Sequence, residues 1–160
     1  MNAADVLPAD LAHLRATLAL AHQARAHDNA PFGALLVDAQ QQVLLAAENT
    51  AITTRDLTGH AELNLVRQAV QLYERERLAS ATIYSNTEPC AMCAAAIHWS
   101  GIGRVVFALS AADFYTLVGP SPDHLHLSCR EVFSRTGRTI TVIGPVAALD
   151  SEAKGVHAGF

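Results

Sequence analysis

A chain of 160 residues, 51% of them hydrophobic and 16% charged, has the length of one ordinary domain and is too apolar to stay disordered. Its formal charge is −4, and its ten arginines and single lysine are scattered from Arg15 to Lys154 without a basic run, which argues against nucleic acid as a partner because such binding draws on clustered cations. The N-terminus lacks a basic stretch leading into an apolar one, and the longest unbroken apolar run, Cys90 to Ile97, falls far short of the roughly 20 residues a membrane span needs, so the chain is expected to be soluble and cytoplasmic with no membrane partner.

Residues 8–27 carry apolar side chains at 11, 14, 18 and 21, the spacing of one helical face, with Pro8 at the start where its missing N–H costs nothing. Two aliphatic runs, 34–37 and 43–47, joined by Asp-Ala-Gln-Gln-Gln, predict a β-hairpin, and 50–59 is a polar loop. From His60 onward, Leu63, Val66 and Val70 share a face, which predicts a helix beginning at or just before the histidine. Residues 81–86 are rich in β-branched and aromatic side chains and predict a strand; Pro89 then suits the first turn of a helix that ends near residues 100–103. A second aliphatic strand spans 104–109, followed by a short helix over 110–118, a turn at 119–123, one or two helical turns over 128–135 and a last strand at 139–144. A helix between the strands at 81–86 and 104–109 calls for a crossover and parallel pairing. The expected fold is an α/β protein, a three-layer α/β/α sandwich with a five-stranded mixed sheet, in a single domain over residues 1–160.

Two of these helices start at chemically loaded points, one at His60 and Glu62, the other at Pro89, Cys90 and Cys93. Cysteines at i and i+3 lie on one helical face, and a helix N-terminus favours thiolate, the form that binds zinc. With His60 as a third ligand, the ion keeps a fourth position for water, whose pKa it lowers; Glu62, two residues past the ligand, can flank that water and take its proton. The three cysteines, an odd number, form no closed disulfide set. Two other readings stay open here: a Cys-x-x-Cys redox protein of thioredoxin layout, and a closed structural zinc site with Cys129 or His98 as fourth ligand.

His-Ala-Glu at 60–62 and Pro-Cys-Ala-Met-Cys at 89–93, with 26 residues between, resemble the H-x-E…P-C-x-x-C signature of the zinc-dependent cytidine/deoxycytidylate deaminase-like superfamily. Similarity extends over about residues 13–110 and looks closest to the branch of bacterial guanine deaminases and tRNA adenosine deaminases. The resemblance implies one zinc per subunit on His60, Cys90 and Cys93, with Glu62 as proton shuttle, and hydrolytic loss of an exocyclic amine as ammonia. It also implies a homodimer and places Asn49 in the substrate pocket. Phe32 and Trp99 are candidate stacking partners for a flat base, and Asp113 is the candidate for the second carboxylate of guanine deaminases, although neither it nor Asp123 aligns cleanly. The −4 charge favours a free nucleobase or nucleoside, guanine or a related aminopurine first, with tRNA adenosine and cytosine or cytidine as alternatives. In related enzymes the C-terminal segment can close the active site, sometimes that of a neighbouring subunit, which makes residues 157–160 a candidate lid.

Overall fold

The computed structural model describes residues 6–160. Its five strands form one sheet in the order β2-β1-β3-β4-β5. β1 (Gly33–Val37) and β2 (Val43–Glu48) are the predicted antiparallel hairpin, and β1 also pairs antiparallel with β3 (Thr82–Thr87). β3, β4 (Arg104–Leu109) and β5 (Thr141–Ile143) run parallel, so the sheet is mixed. β1 is buried at every position, as a central strand covered on both faces must be, whereas β2 lies at an edge and is mostly exposed or half-buried.

Alternate side chains of the strands feed two cores. Ala34, Leu36, Ile83, Val105 and Phe107 face α3 (Ala61–Leu72), α5 (Ala91–Ser100) and α7 (Cys129–Ser134), while Leu35, Val37, Tyr84, Val106 and Ala108 face α1 (Pro8–Ala26) and α8 (Asp150–His157). The three-layer sandwich follows from that period of two. Gly33 is needed where α1 crosses β1, because a Cβ there would stand 2.5 Å from the Thr17 carbonyl oxygen. Gly101, at φ 93, takes the left-handed conformation that ends α5.

The structure adds elements the sequence does not announce. One turn, α2 (Ala51–Thr54), interrupts the polar loop; α4 (Arg75–Ala79) precedes β3; and α8, after a 3₁₀ turn at Ala147–Leu149, closes the sheet's second face. Pro89 falls just before the cap of α5 instead of within its first turn. α6 (Ala111–Val118) sits where a short helix is predicted. No helix among the described residues is long and apolar enough to cross a membrane.

A buried ion pair ties three of these elements together. Asp10 of α1 accepts hydrogen bonds from Arg104 Nη1 and Nη2 of β4 at 2.9 and 2.8 Å, Tyr84 Oη of β3 at 2.7 Å and the Leu7 N–H at 2.8 Å. Burial works to raise the Asp10 carboxyl, but these bonds outweigh it and hold its pKa below the ordinary value. Its stabilising contribution is therefore complete above the unfolded pKa near 3.9 and is lost as pH falls through the lower folded value. Asp10→Ala leaves the guanidinium and the phenol without their acceptor; urea unfolding at pH 7 should show a loss of about 2–4 kcal/mol, shrinking as both proteins are titrated into acid.

Candidate active site

The site forms where the N-termini of α3 and α5 meet beyond the ends of β2 and β3. His60 and Cys90 are the N-cap residues of the two helices, both with extended backbone, and Cys93 follows one turn into α5. His60 Nδ1 lies 3.5 Å from Cys90 Sγ and 3.7 Å from Cys93 Sγ. Zinc bonds of about 2.0 Å to nitrogen and 2.3 Å to sulfur at a tetrahedral angle would set those donors about 3.5 Å apart. These three form the only cluster of potential metal donors among the described residues, with their ligand atoms within 4.8 Å of one another.

The electrostatics agree with the spacing. A hydrogen bond from Cys93, then His60 and the local backbone, lowers the Cys90 thiol pKa, and the same sulfur–sulfur contact raises that of Cys93. The Cys90 sulfur in turn raises the imidazole of His60. Thiol and imidazole donors crowded this closely are a set that a divalent cation would bind in place of their protons. Cys129 and His98 do not join them: Cys129 is buried at the start of α7 and His98 lies late in α5. The residues present therefore fit a three-ligand zinc site with a fourth position for a non-protein ligand. All three cysteines are free thiols.

Glu62, 5% exposed, sits in the first turn of α3, and its Oε1 accepts a 2.8 Å hydrogen bond from Ser85 Oγ of β3. Burial chiefly, and the charge of Cys90 next, raise its pKa above the usual carboxylate value. A carboxyl group so placed can both accept and return a proton.

His60, Glu62 and Cys90 open into a cavity of about 230 Å³ walled by Phe32, Phe114, Tyr115, Leu125 and Leu127, with Thr87, Glu88 and Ala111 completing it. Phe32 and Phe114 meet edge to face at 5.4 Å between ring centres. Asn49, expected in the pocket, is buried next to it and does not line the cavity: its backbone N–H donates to the Phe32 carbonyl at 3.0 Å, and its side-chain Oδ1 accepts from the Ala51 N–H at 3.0 Å.

Two expected pocket residues stand elsewhere. Trp99 is 75% exposed at the far end of α5, nine residues past Cys90 and so about 13 Å along the helix, its ring against His98. Asp113 is exposed in the first turn of α6, where the N-cap Ser110 donates its Oγ–H to Asp113 Oδ2 at 2.6 Å and accepts the Asp113 N–H at 3.0 Å; its carboxylate is engaged with the cap and does not line the cavity. Asp123 is also exposed and outside the cavity. Of the expected lid, Phe160 is 53% exposed, and the residue that reaches the cavity wall is His157, packed on Phe32 and Phe114.

Several functional positions carry no motif. Glu88 accepts the Ala111 N–H at 3.1 Å and the Cys129 N–H at 3.0 Å, tying the starts of α6 and α7 to the segment just before Cys90. Its place immediately before Pro89 was the available signal. Phe114, Tyr115, Leu125 and Leu127 come from stretches whose apolar spacing says nothing about which cavity they face.

The family model for the cytidine and deoxycytidylate deaminase zinc-binding region matches residues 8–109, which contain every metal donor and Glu62. The chain belongs to this deaminase family. It is a hydrolytic deaminase, of the class that replaces an amine on a cyclic amidine with oxygen. The deaminase is 35% identical to the probable cytosine deaminase of Schizosaccharomyces pombe over 162 aligned residues, spanning 100% of this chain and 97% of the relative. It is 32% identical to the guanine deaminase of Bacillus subtilis over 52% of this chain and 53% of that one. A solved structure from studies of A-to-I editing by tRNA:A34 deaminases superposes with a TM-score of 0.73 at 28% identity, covering 91% of this deaminase and 99% of the other chain.

Proposed function

We propose that this deaminase removes the exocyclic amine from a free nucleobase, cytosine first, with one zinc held by His60, Cys90 and Cys93. The cavity carries this reading. At about 230 Å³ it lies below the roughly 300–1,000 Å³ of pockets for drug-sized ligands, which leaves room for a flat ring and little for ribose. Its walls are mainly aromatic and aliphatic, their acidic groups are Glu62 and Glu88, and they include no arginine or lysine, so they offer a phosphate backbone nothing to hold. The similarity to the S. pombe cytosine deaminase along both whole chains supports cytosine over guanine, the base the sequence motif favours. Guanine remains the second reading, supported by the B. subtilis relative across the motif-bearing half of the chain. A cytoplasmic homodimer with one such site in each subunit belongs to the same proposal.

Zinc, when bound, supplies a Lewis acid that makes water nucleophilic near neutral pH. Phe32 and Phe114 together present apolar surface to the base and exclude bulk water. Glu62 takes the proton of the attacking water and gives it to the ring nitrogen beside the amine-bearing carbon, which makes that carbon electrophilic. It then carries the second proton to the departing amine, and the products are the oxo-base and ammonia. Ser85 holds Oε1 throughout, so the carboxyl turns little between its two tasks.

Ammonia release from cytosine, guanine, adenine, cytidine, guanosine and a tRNA anticodon stem-loop tests the reading. Cytosine should give the highest kcat/KM and cytidine at least tenfold less. Turnover confined to the stem-loop, or cytidine outperforming cytosine, would refute it.

A further inference from the structure

Behind the aromatic wall, α8 buries a histidine that the chemistry above does not use. His157 is 2% exposed, with its ring centre 5.2 Å from that of Phe32 and 4.7 Å from that of Phe114. Its Nε2 lies 3.0 Å from Thr87 Oγ1, whereas its Nδ1 is buried with no partner among the described residues. Burial, and to a lesser degree the charge of Arg25, push its pKa down to about 4, so the ring is neutral and carries one proton.

The position of that proton fixes what Thr87 can do. On Nδ1 it would be a buried N–H without an acceptor, the rarer and costlier kind of orphan. On Nε2 it is donated to Thr87 Oγ1. Asn86 uses its carboxamide oxygen for the Gly33 N–H at 2.8 Å, and its Nδ2 donates to the Pro31 carbonyl at 3.1 Å and to Thr87 Oγ1 at 3.4 Å. With its proton on Nε2, that nitrogen cannot accept, so the 3.5 Å approach of Asn86 Nδ2 to it is not a hydrogen bond. A threonine oxygen accepts two hydrogen bonds and donates one. With both acceptor positions taken from behind, its hydrogen is left for the cavity that Thr87 lines.

We propose that His157 is a positioning residue that turns Thr87 into a fixed hydrogen-bond donor facing the cavity, so that the pocket selects a base with an acceptor, a carbonyl oxygen or an unprotonated ring nitrogen, at that edge. The identity of the ligand rests on the free-base reading, while the orientation of the Thr87 hydroxyl does not.

Two measurements separate these layers. In the ¹⁵N-labelled protein at pH 7, the His157 ring should appear as the neutral Nε2–H form; an Nδ1–H form or an imidazolium would overturn the proposal whatever the substrate is. In steady-state assays with cytosine, or with guanine if that is the base consumed, Thr87→Val should raise KM roughly three- to tenfold, the worth of one hydrogen bond, with kcat within about twofold. Thr87→Ser should stay close to wild type. His157→Leu should reproduce the Thr87→Val effect, and His157→Gln, which keeps a side-chain N–H donor, should restore most of the loss. An unchanged KM in Thr87→Val, or a fall in kcat alone, contradicts the proposal. If the wild type consumes no free base, the free-base reading fails and the ring spectrum alone decides whether Thr87 is held as a donor.

Discussion

Glu62→Gln should lower kcat for ammonia release by about 10²–10⁴-fold while leaving the zinc content unchanged. The amide matches the carboxylate in shape, and its oxygen can still accept the 2.8 Å bond from Ser85 Oγ, so the side chain keeps its place at the head of α3. What it loses is the capacity to take up and return a proton. Because Glu62 is buried, removing its charge relieves a desolvation cost, and the melting temperature should hold or rise. That combination separates a proton carrier from a residue needed for folding. A variant with near-normal turnover would show that the proton travels by another group.

Cys93→Ala should abolish turnover and reduce bound zinc from about one per chain to a small fraction after dialysis against a mild chelator. Cys93 is fully buried between its two co-ligands and the α5 core, and nothing else in that cluster can supply a third donor. Since ligand binding stabilises the folded state, zinc added to the wild type should raise its melting temperature and zinc added to the variant should not. Cys129→Ala provides the control. Cys129 is equally buried but outside the donor cluster, and of its two contacts with Glu88, one from the backbone N–H and one from the thiol, alanine retains the backbone one. It should keep its zinc and most of its activity, at a stability cost of about 1 kcal/mol. Zinc loss from Cys129→Ala instead would mean that a closed four-ligand site had been mistaken for an open one.

The sequence showed the site's chemistry better than its walls, for a physical reason. A ligand at a helix N-cap and another one turn into the helix are fixed by local geometry, so the spacing of Cys90 and Cys93, and the placement of His60 ahead of α3, could be read before any tertiary contact was known. The strands were equally legible, because their aliphatic runs are buried on both faces of the sheet. The substrate-facing residues depend on how α6 and the loop after it fold over the sheet, which no local period encodes. Trp99 illustrates the limit: an aromatic side chain beside a motif suggests a base platform, but the axis of α5 carries it to solvent. Asp113 shows another, since a carboxylate three residues after a serine serves the cap as readily as a ligand. α8 escaped because a glycine, Gly155, a poor helix former, lies within it and only Ala153, Val156 and His157 are buried, too few to set up a pattern. Yet that helix supplies the histidine behind the pocket.

Zinc K-edge absorption of the purified deaminase tests the central claim most directly, because it counts the donor types around the ion. The expected shell has two sulfurs at about 2.3 Å and two lighter atoms at about 2.0 Å, one of them imidazole nitrogen and the other exchangeable with added anions. A shell with three sulfurs, a second imidazole in place of the exchangeable atom, or a Cys90–Cys93 disulfide in a protein free of zinc would contradict it.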